Sequence, residues 1–341
     1  MAKCNAVQSK MPCVFETGVF NTQSSKRANQ NFKVTASDRL RPEIVPPDIE
    51  CASATEKLDG TCCLIQEYQG LPWLWPRLDR KPNRAGDKKF QRLQYKLKDW
   101  KASDEDSVPP TITWDPMKDF KEVPSTWIPA TGVKVVDGFA QPDKIGHTPG
   151  WLPIEKKSRQ HCWHLTAVDL DLGLCLMLTP SEDSGQLVIK CRPLSELCGK
   201  TCELIGTSIN GNPYGLGNKQ QPLHVLVVHG SLPVTCPSPL NGEAMHQWFE
   251  EEEPESSNNR VEGVVWHCPS GALYKLHRHH LNLPWPIPKP RLSQQPVDID
   301  VDSAVFSIDM DKQSQFSLLA SVHGCKVDKL CEVHSLLADC R

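Results

Sequence analysis

Charge of one sign, long apolar runs and aromatic rings are all scarce in this chain. The 341 residues carry 38 Lys and Arg against 41 Asp and Glu, a formal net charge of −3. No global field draws in a polyanion, so any site for one must be a local patch. No apolar run approaches the length that spans a bilayer. Met1–Lys10 has no apolar core segment, so no export signal is read there. This predicts an intracellular protein, cytoplasmic first and nuclear as the alternative, with no membrane partner and no obligate protein partner. In a reducing compartment the fifteen cysteines stay thiols. Their spacing lacks the paired C-x-x-C framework of a structural zinc site. His161-Cys162-Trp163-His164 could hold a metal, but reads more readily as a partly buried strand. No internal repeat is visible, which argues against a solenoid. Aromatics are 7% of the chain, whereas 29 prolines predict many loops. Apolar residues at 39% support one large domain or two smaller ones.

Along the chain, residues 1–30 are polar and aperiodic and read as a mobile arm. Cys62–Tyr68 and Leu71–Leu78 read as strands about a Gln69-Gly70 turn. From Arg77 to Lys101 there are ten Lys or Arg against three Asp, a local charge of +7. Phe90–Trp100 within it has helical character. The stretch reads either as a solvated charged helix or as an RNA-backbone patch. Residues 102–160 are proline-rich and show no clear element. His161–Val168, Leu172–Leu178, Leu187–Cys191 and Leu223–Val228 read as strands. Leu194–Leu204 begins helical and ends as a strand at Glu203. Glu243–Phe249 reads as a short helix before an acidic loop, and the last thirty residues read as helical.

Three stretches carry candidate chemistry. In Glu56-Lys57-Leu58-Asp59-Gly60-Thr61, a lysine precedes an Asp-Gly turn and a β run follows. Such a turn can project an amine into a pocket while glycine lets the backbone approach a nucleotide. Taken alone, it reads more readily as a surface turn. In Cys202-Glu203-Leu204-Ile205-Gly206, a carboxylate ends a strand before the Gly- and Asn-rich loop Asn210–Asn218. Alone, Glu203 reads as an ordinary exposed carboxylate. The third is a hairpin, Val261–Trp266 with Leu273–Arg278. Closure through a two-residue loop at Pro269-Ser270 would pair Trp266 with Leu273, Val264 with Lys275 and Glu262 with His277. Glu262 and Lys275 would then sit diagonally on one face, with Arg278 on the other. That arrangement serves one ligand, or merely a cross-strand ion pair on a solvated sheet.

The order of these pieces is specific. Lys57-x-Asp59-Gly60, Arg77, Glu203-x-x-Gly206, Glu262-Gly263 and Lys275 resemble the nucleotidyltransferase motifs of ATP-dependent ligases and capping enzymes. The Glu56–Thr61 form is most similar to the RNA ligase branch. A wider likeness runs from about Met11 to Pro288. It includes Met11-Pro12-Cys13-Val14-Phe15, Arg77-Leu78-Asp79-Arg80-Lys81-Pro82, Ile205–Gly217 and Val265-Trp266-His267-Cys268. Here the chain resembles the family of vertebrate RNA 5′-to-3′ ligases.

That resemblance implies an α+β nucleotidyltransferase fold, an ATP-grasp-like adenylation fold of antiparallel sheets flanked by helices. It implies an adenylyltransferase domain at 31–288 with a long insertion at about 81–190, and a mainly helical region at 289–341. The implied reaction joins 5′-phosphate and 3′-hydroxyl RNA ends, for RNA repair, through AMP on Lys57. Asp59 and Lys275 are the other catalytic candidates, Lys275 at the α-phosphate. Glu56, Gly60, Arg77, Glu203, His224, Glu262 and Lys275 are the ATP contacts, with His224 in the place of the ring that stacks on adenine. Glu56 borders the adenine through its backbone. Glu262 and Glu203 would hold Mg2+, with Mn2+ as the alternative. Burial, Lys275 and the ion are expected to depress the Lys57 pKa, because a free lysine is protonated and not nucleophilic. Arg77, Arg80, Lys81, Lys88 and Lys89 are the RNA-contact candidates. The chain departs from the ligase pattern at Cys62, where many ligases carry arginine, and at Lys275-x-His277, where they carry a lysine pair. Two other functions share the motifs: RNA-end binding on a degenerate fold, and AMP transfer to another acceptor such as a protein.

Overall fold

The computed structural model describes residues 6–20, 22, 32–103, 108–181, 185–251, 257–301 and 314–339. Two sheets meet at Lys57. The strand Ser53–Lys57 lies at one edge of a three-stranded antiparallel sheet, beside Gly263–His267 and then Leu273–His277. After the Leu58–Gly60 turn, the chain enters Thr61–Tyr68 in a nine-stranded sheet. Three residues therefore carry the backbone from one sheet to the other, and the candidate nucleophile stands at the crossing.

In the large sheet, Thr61–Tyr68 lies between Leu71–Pro76 and Thr201–Gly206; beyond Thr201–Gly206 follow His224–Val228, Leu174–Pro180, Leu187–Pro193, Val297–Asp300 and Lys326–Val327. The sheet is mixed, because Leu174–Pro180 runs parallel to His224–Val228 and Leu187–Pro193 parallel to Val297–Asp300. The fold is α+β, but its principal sheet is not purely antiparallel. Both faces are covered, which explains runs such as Leu174-Cys175-Leu176-Met177-Leu178 that lack polar alternation. Leu174, Leu176, Ile205, Val225 and Val227 pack on one face, whereas Cys175, Cys202, Leu204 and Leu226 pack on the other. A third core of Val14, Phe15, Ile49, Met245, Phe249, Val264, Trp266 and Leu276 lies against the small sheet.

The chain divides into two compact units: Met1–Val7, Met11–Leu74 and Ile154–Arg341 form one, and Gln8–Lys10 with Trp75–Pro153 form the other. The anticipated insertion at 81–190 straddles them, since Leu174–Pro180 and Leu187–Pro193 are central strands of the large sheet. The second unit packs around buried Trp151 and Phe120, with Trp114 tilted on Phe120 at 5.2 Å. Its helix runs Arg84–Ser103, with Asn83 Oδ1 accepting from the Ala85 and Gly86 amides.

Several expected elements change. Much of the anticipated arm lies outside the described residues, but Val14 and Phe15 are fully buried and Phe15–Phe20 pairs with Lys33–Leu40. His161–Val168 is not a strand. A 3-10 turn, Arg159–His161, leads into the helix Cys162–Ala167, and the Ser158 hydroxyl accepts from the Gln160 amide at the start. Ser158 is a capping residue by type, and that signal prevails over the local β propensity. Beyond Pro288, helices Gln315–Ala320 and Val333–Asp339 accompany the strands Val297–Asp300 and Lys326–Val327. Among the described residues, no helix is long and apolar enough to cross a membrane.

Candidate active site

Lys57 ends its strand directly opposite Gly263. Its ammonium lies 2.5 Å from a Glu262 carboxylate oxygen, and the Glu262 side chain is fully buried. Buried Arg278 holds this corner. It donates to the carbonyls of Val261 at 3.0 Å, Phe249 at 3.0 Å and Asn259 at 2.8 Å, and its amide donates to the Glu262 carbonyl at 2.9 Å. Burial disfavours the Lys57 ammonium, but Glu262, then Glu203 and Asp59, outweigh that cost. The pKa therefore lies above the ordinary lysine value. This reverses the expected depression: without a ligand the carboxylates keep the amine charged and unreactive.

The turn after Lys57 is tied down on every side. The Asp59 amide donates to the Tyr214 hydroxyl at 2.9 Å. One Asp59 carboxylate oxygen accepts from Asn210 and the other from Trp285 Nε1, both at 2.8 Å. These bonds fix the turn beside Lys57. The Gly60 amide donates to Glu203 Oε1 at 3.0 Å. A Cβ on Gly60 would stand 2.3 Å from the Leu204 carbonyl oxygen and 2.8 Å from Glu203 Cγ, so close backbone approach, not unusual φ, requires glycine here.

The hairpin register differs by one residue from the expected one. The Cys268 amide bonds to the Ala272 carbonyl, so the turn spans Pro269–Gly271. Val265 then faces Lys275, and Gly263 faces His277. Thr55, Val265 and Lys275 lie in line across the sheet, on the side that Lys57 shares by alternation. Val264 and Trp266 point into the core behind it. Lys275 therefore reaches the Lys57 face by a different register from the expected one, and Glu262 reaches Lys57 from just before its strand.

Thr55, Glu56, Lys57, Leu58, Cys62, Glu203, His229, Val265 and His267 line a cleft of about 110 Å3, which Val7 and Met11 wall from the N-terminal side. Sequence reasoning missed Thr55, whose hydroxyl lies 3.0 Å from His267 Nε2, and His229, whose Nε2 lies 2.9 Å from Glu203. Outside that lining, Arg291 was also missed; it holds Glu56 Oε2 at 3.0 Å. Glu56 Oε1 is buried without a hydrogen-bond partner. Burial drives the Glu56 pKa up to about 7, with Arg291 opposing and Glu262 reinforcing the rise. The Glu56 amide is already bonded to the Leu232 carbonyl, so that donor is not open to a base.

His224 does not belong to this site. It is fully buried; its ring nitrogens meet the Thr207 carbonyl at 2.7 Å and the Thr166 hydroxyl at 2.8 Å, and it stacks on Trp163 at 5.2 Å. Alternation explains the error: Glu203 pairs with Val227, whereas His224 pairs with Gly206 and shares its face with Leu226. Nor does the His161–His164 stretch gather as a metal cluster among the described residues. The His161 ring accepts from the Glu155 amide at 2.9 Å, and Cys162 is exposed.

Arg77, Arg80, Lys81, Lys88 and Lys89 all lie in the second unit. Arg77 pairs with Asp79 at 2.7 Å and lies over Trp151. Arg80 donates to the Pro116 and Lys121 carbonyls, and Lys89 pairs with Asp119 at 2.7 Å. Three of the five thus stabilise their own unit, while Lys81 and Lys88 are exposed. The helix adds a further signal: Arg84, Lys88, Arg92 and Lys96 recur every fourth residue, all exposed, beside Tyr95 at 71% exposure. Such spacing forms one continuous stripe on a helix.

A near-buried lysine at a sheet crossing, ringed by carboxylates and open to a cleft, marks this as a candidate lysine-centred site. The comparisons make the class particular. A family model described as RNA ligase 1 matches residues 1–336. The chain is 42% identical to RNA ligase 1 of Rattus norvegicus over 334 residues, 98% of this chain and 99% of that one. It is also 42% identical to RNA ligase 1 of Danio rerio, covering 95% and 96% of the two chains, and to that of Mus musculus, covering 98% and 99%. The chain belongs to the RNA ligase 1 family.

Proposed function

We propose that this protein is an ATP-dependent RNA ligase on a nucleotidyltransferase fold, joining 5′-phosphate to 3′-hydroxyl RNA ends in RNA repair. The observation that carries the reading is Lys57, held against Glu262 in a cleft that also contains Glu203, in a chain of the RNA ligase 1 family. The donor set suits a nucleoside triphosphate with a divalent ion, since Lys57 and Glu203 line one cleft and Glu262 meets Lys57 beside it. The cleft at about 110 Å3 is smaller than the few hundred Å3 that a nucleotide-sized ligand occupies, so ATP binding widens it. A larger cleft of about 530 Å3 is lined by Asp38, Glu243, Glu250 and Glu251, which repel phosphate.

In the first step Lys57 Nζ loses its proton and attacks the α-phosphate. A P–N bond forms, the P–O bond to the β-phosphate breaks, and pyrophosphate leaves. Glu262 and Glu203 would hold Mg2+, or Mn2+, which would supply positive charge at the α-phosphate and compete with Lys57 for the carboxylates that keep its amine protonated. Lys275 neutralises phosphate charge on the same face. AMP then passes from Lys57 to the RNA 5′-phosphate, and a 3′-hydroxyl attacks that phosphate as AMP departs. Asp59 and Gly60 hold the nucleophile in place. The stripe Arg84, Lys88, Arg92 and Lys96 contacts RNA phosphates, and Tyr95 offers a ring for a base.

A nicked or open-loop RNA with 5′-phosphate and 3′-hydroxyl ends tests the reading. Wild type with ATP and Mg2+ seals it, and Lys57→Ala does not. Equal sealing by Lys57→Ala, or DNA joined as readily as RNA, would overturn the assignment.

A further inference from the structure

The floor of the Lys57 cleft contains a thiol, an imidazole and a carboxylate that adenylation does not require together. Cys62 Sγ, a Glu203 carboxylate oxygen and a His229 ring nitrogen all lie within 4.8 Å of one another. Two neighbouring strands supply Cys62 and Glu203, and His229 directly follows the end of a third. Cys62 is directly opposite Glu203, Glu203 is directly opposite Val227, and His229 stands two residues beyond Val227, its amide bonded to the Thr201 carbonyl at 3.0 Å. The pleat therefore turns all three toward one face.

The surrounding bonds orient them as metal ligands are oriented. Glu203 Oε1 accepts from the Gly60 amide at 3.0 Å, leaving Oε2 to meet His229 Nε2 at 2.9 Å. His229 Nδ1 lies 2.9 Å from the Thr201 hydroxyl, which fixes the ring with Nε2 inward. A partner on the second ring nitrogen is the usual outer support of a metal-binding histidine. The rim toward Lys57 leaves space for a further ligand, because all three residues line the cleft.

We propose that Cys62, Glu203 and His229 form a site for a soft divalent ion of the zinc class, with its fourth position open to the nucleotide cleft. A sulfur, a nitrogen and an oxygen around one point match tetrahedral Zn2+ with three protein ligands. Mg2+ prefers an octahedron of oxygens and rejects this set. The site is thus distinct in chemistry from the Mg2+ assigned above, yet the two share Glu203. Zn2+ here withdraws Glu203 from the Mg2+-ATP site, so zinc and adenylation compete.

Cobalt is the probe, because a thiolate bound to Co2+ gives a charge-transfer absorption that oxygen and nitrogen ligands do not. The full chain is titrated with Co2+ in the absence of ATP and RNA, so the outcome is independent of ligase activity. The expected result is one equivalent of Co2+–thiolate absorption, displaced by Zn2+ and absent in Cys62→Ser. His229→Gln keeps the thiol and weakens Co2+ affinity by about tenfold or more. The described residues include other cysteine thiols, so the comparison between variants decides. Absorption of equal stoichiometry in Cys62→Ser, unchanged affinity in His229→Gln, or no thiolate absorption in wild type would each overturn the site.

Discussion

The Lys57 cleft and the helix Arg84–Ser103 hold cationic side chains in opposite ways. Lys57 is only 19% exposed and is clamped by a fully buried carboxylate. Arg84, Lys88, Arg92 and Lys96 extend from one exposed helical stripe. The first environment changes what an amine can do, since proton affinity follows its neighbours. The second leaves the charges hydrated, able to follow a polyanion without altering their chemistry. On the proposed function the first region serves bond formation and the second holds the substrate, and each can be perturbed alone.

The largest expected effect comes from breaking the clamp. Glu262→Gln keeps the shape but removes both the partner of Lys57 and the proposed metal ligand, so the rate of Lys57 labelling by ATP falls about a hundredfold. A fall of less than a few-fold in single-turnover labelling would sever Glu262 from the chemistry. Next, glutamine at Arg84, Lys88, Arg92 and Lys96 leaves Lys57 labelling intact. It weakens RNA binding by about tenfold or more, and the log–log salt slope flattens by about 0.7 for each phosphate that is no longer neutralised. A filter-binding series over salt checks this, and an unchanged slope would mean the stripe only faces water.

A third effect, on stability and not on activity, concerns Glu56, whose pKa of about 7 stands against an ordinary 4.5. Between those values the folded chain holds a proton that the unfolded chain has released. Stability therefore falls as pH rises through this window, by on the order of 3 kcal/mol, and levels off above it. Urea unfolding at several pH values should show the decline in wild type and a flatter profile in Glu56→Gln. Equal slopes would mean that Glu56 titrates normally.

Most local signals in the sequence proved reliable, the strand reading of His161–Val168 excepted, whereas signals that depend on long-range pairing did not. The strand Thr61–Tyr68, the helix Gly242–Glu250 capped by Asn241 and the helix around Phe90–Trp100 all follow from nearby residues. So does Lys57 at a turn, because Asp59-Gly60 is a local breaker. The hairpin differs by one residue of register because Pro269-Ser270-Gly271 closes as three residues, and one residue moves Lys275 from opposite Val264 to opposite Val265. His224 failed because the face of a strand is set by its neighbours. Trp285 and Arg291 were missed because they meet Asp59 and Glu56 across more than two hundred residues of chain, with no local pattern to mark them.

The central claim is that Lys57 forms a covalent bond to AMP. Wild-type protein incubated with α-labelled ATP and Mg2+, then digested and mapped at alkaline pH, should give one label on the peptide containing Lys57. Acid should release it, as a P–N bond requires. Lys57→Arg should give none, because arginine stays protonated. Label elsewhere, or retained in Lys57→Arg, would contradict the account.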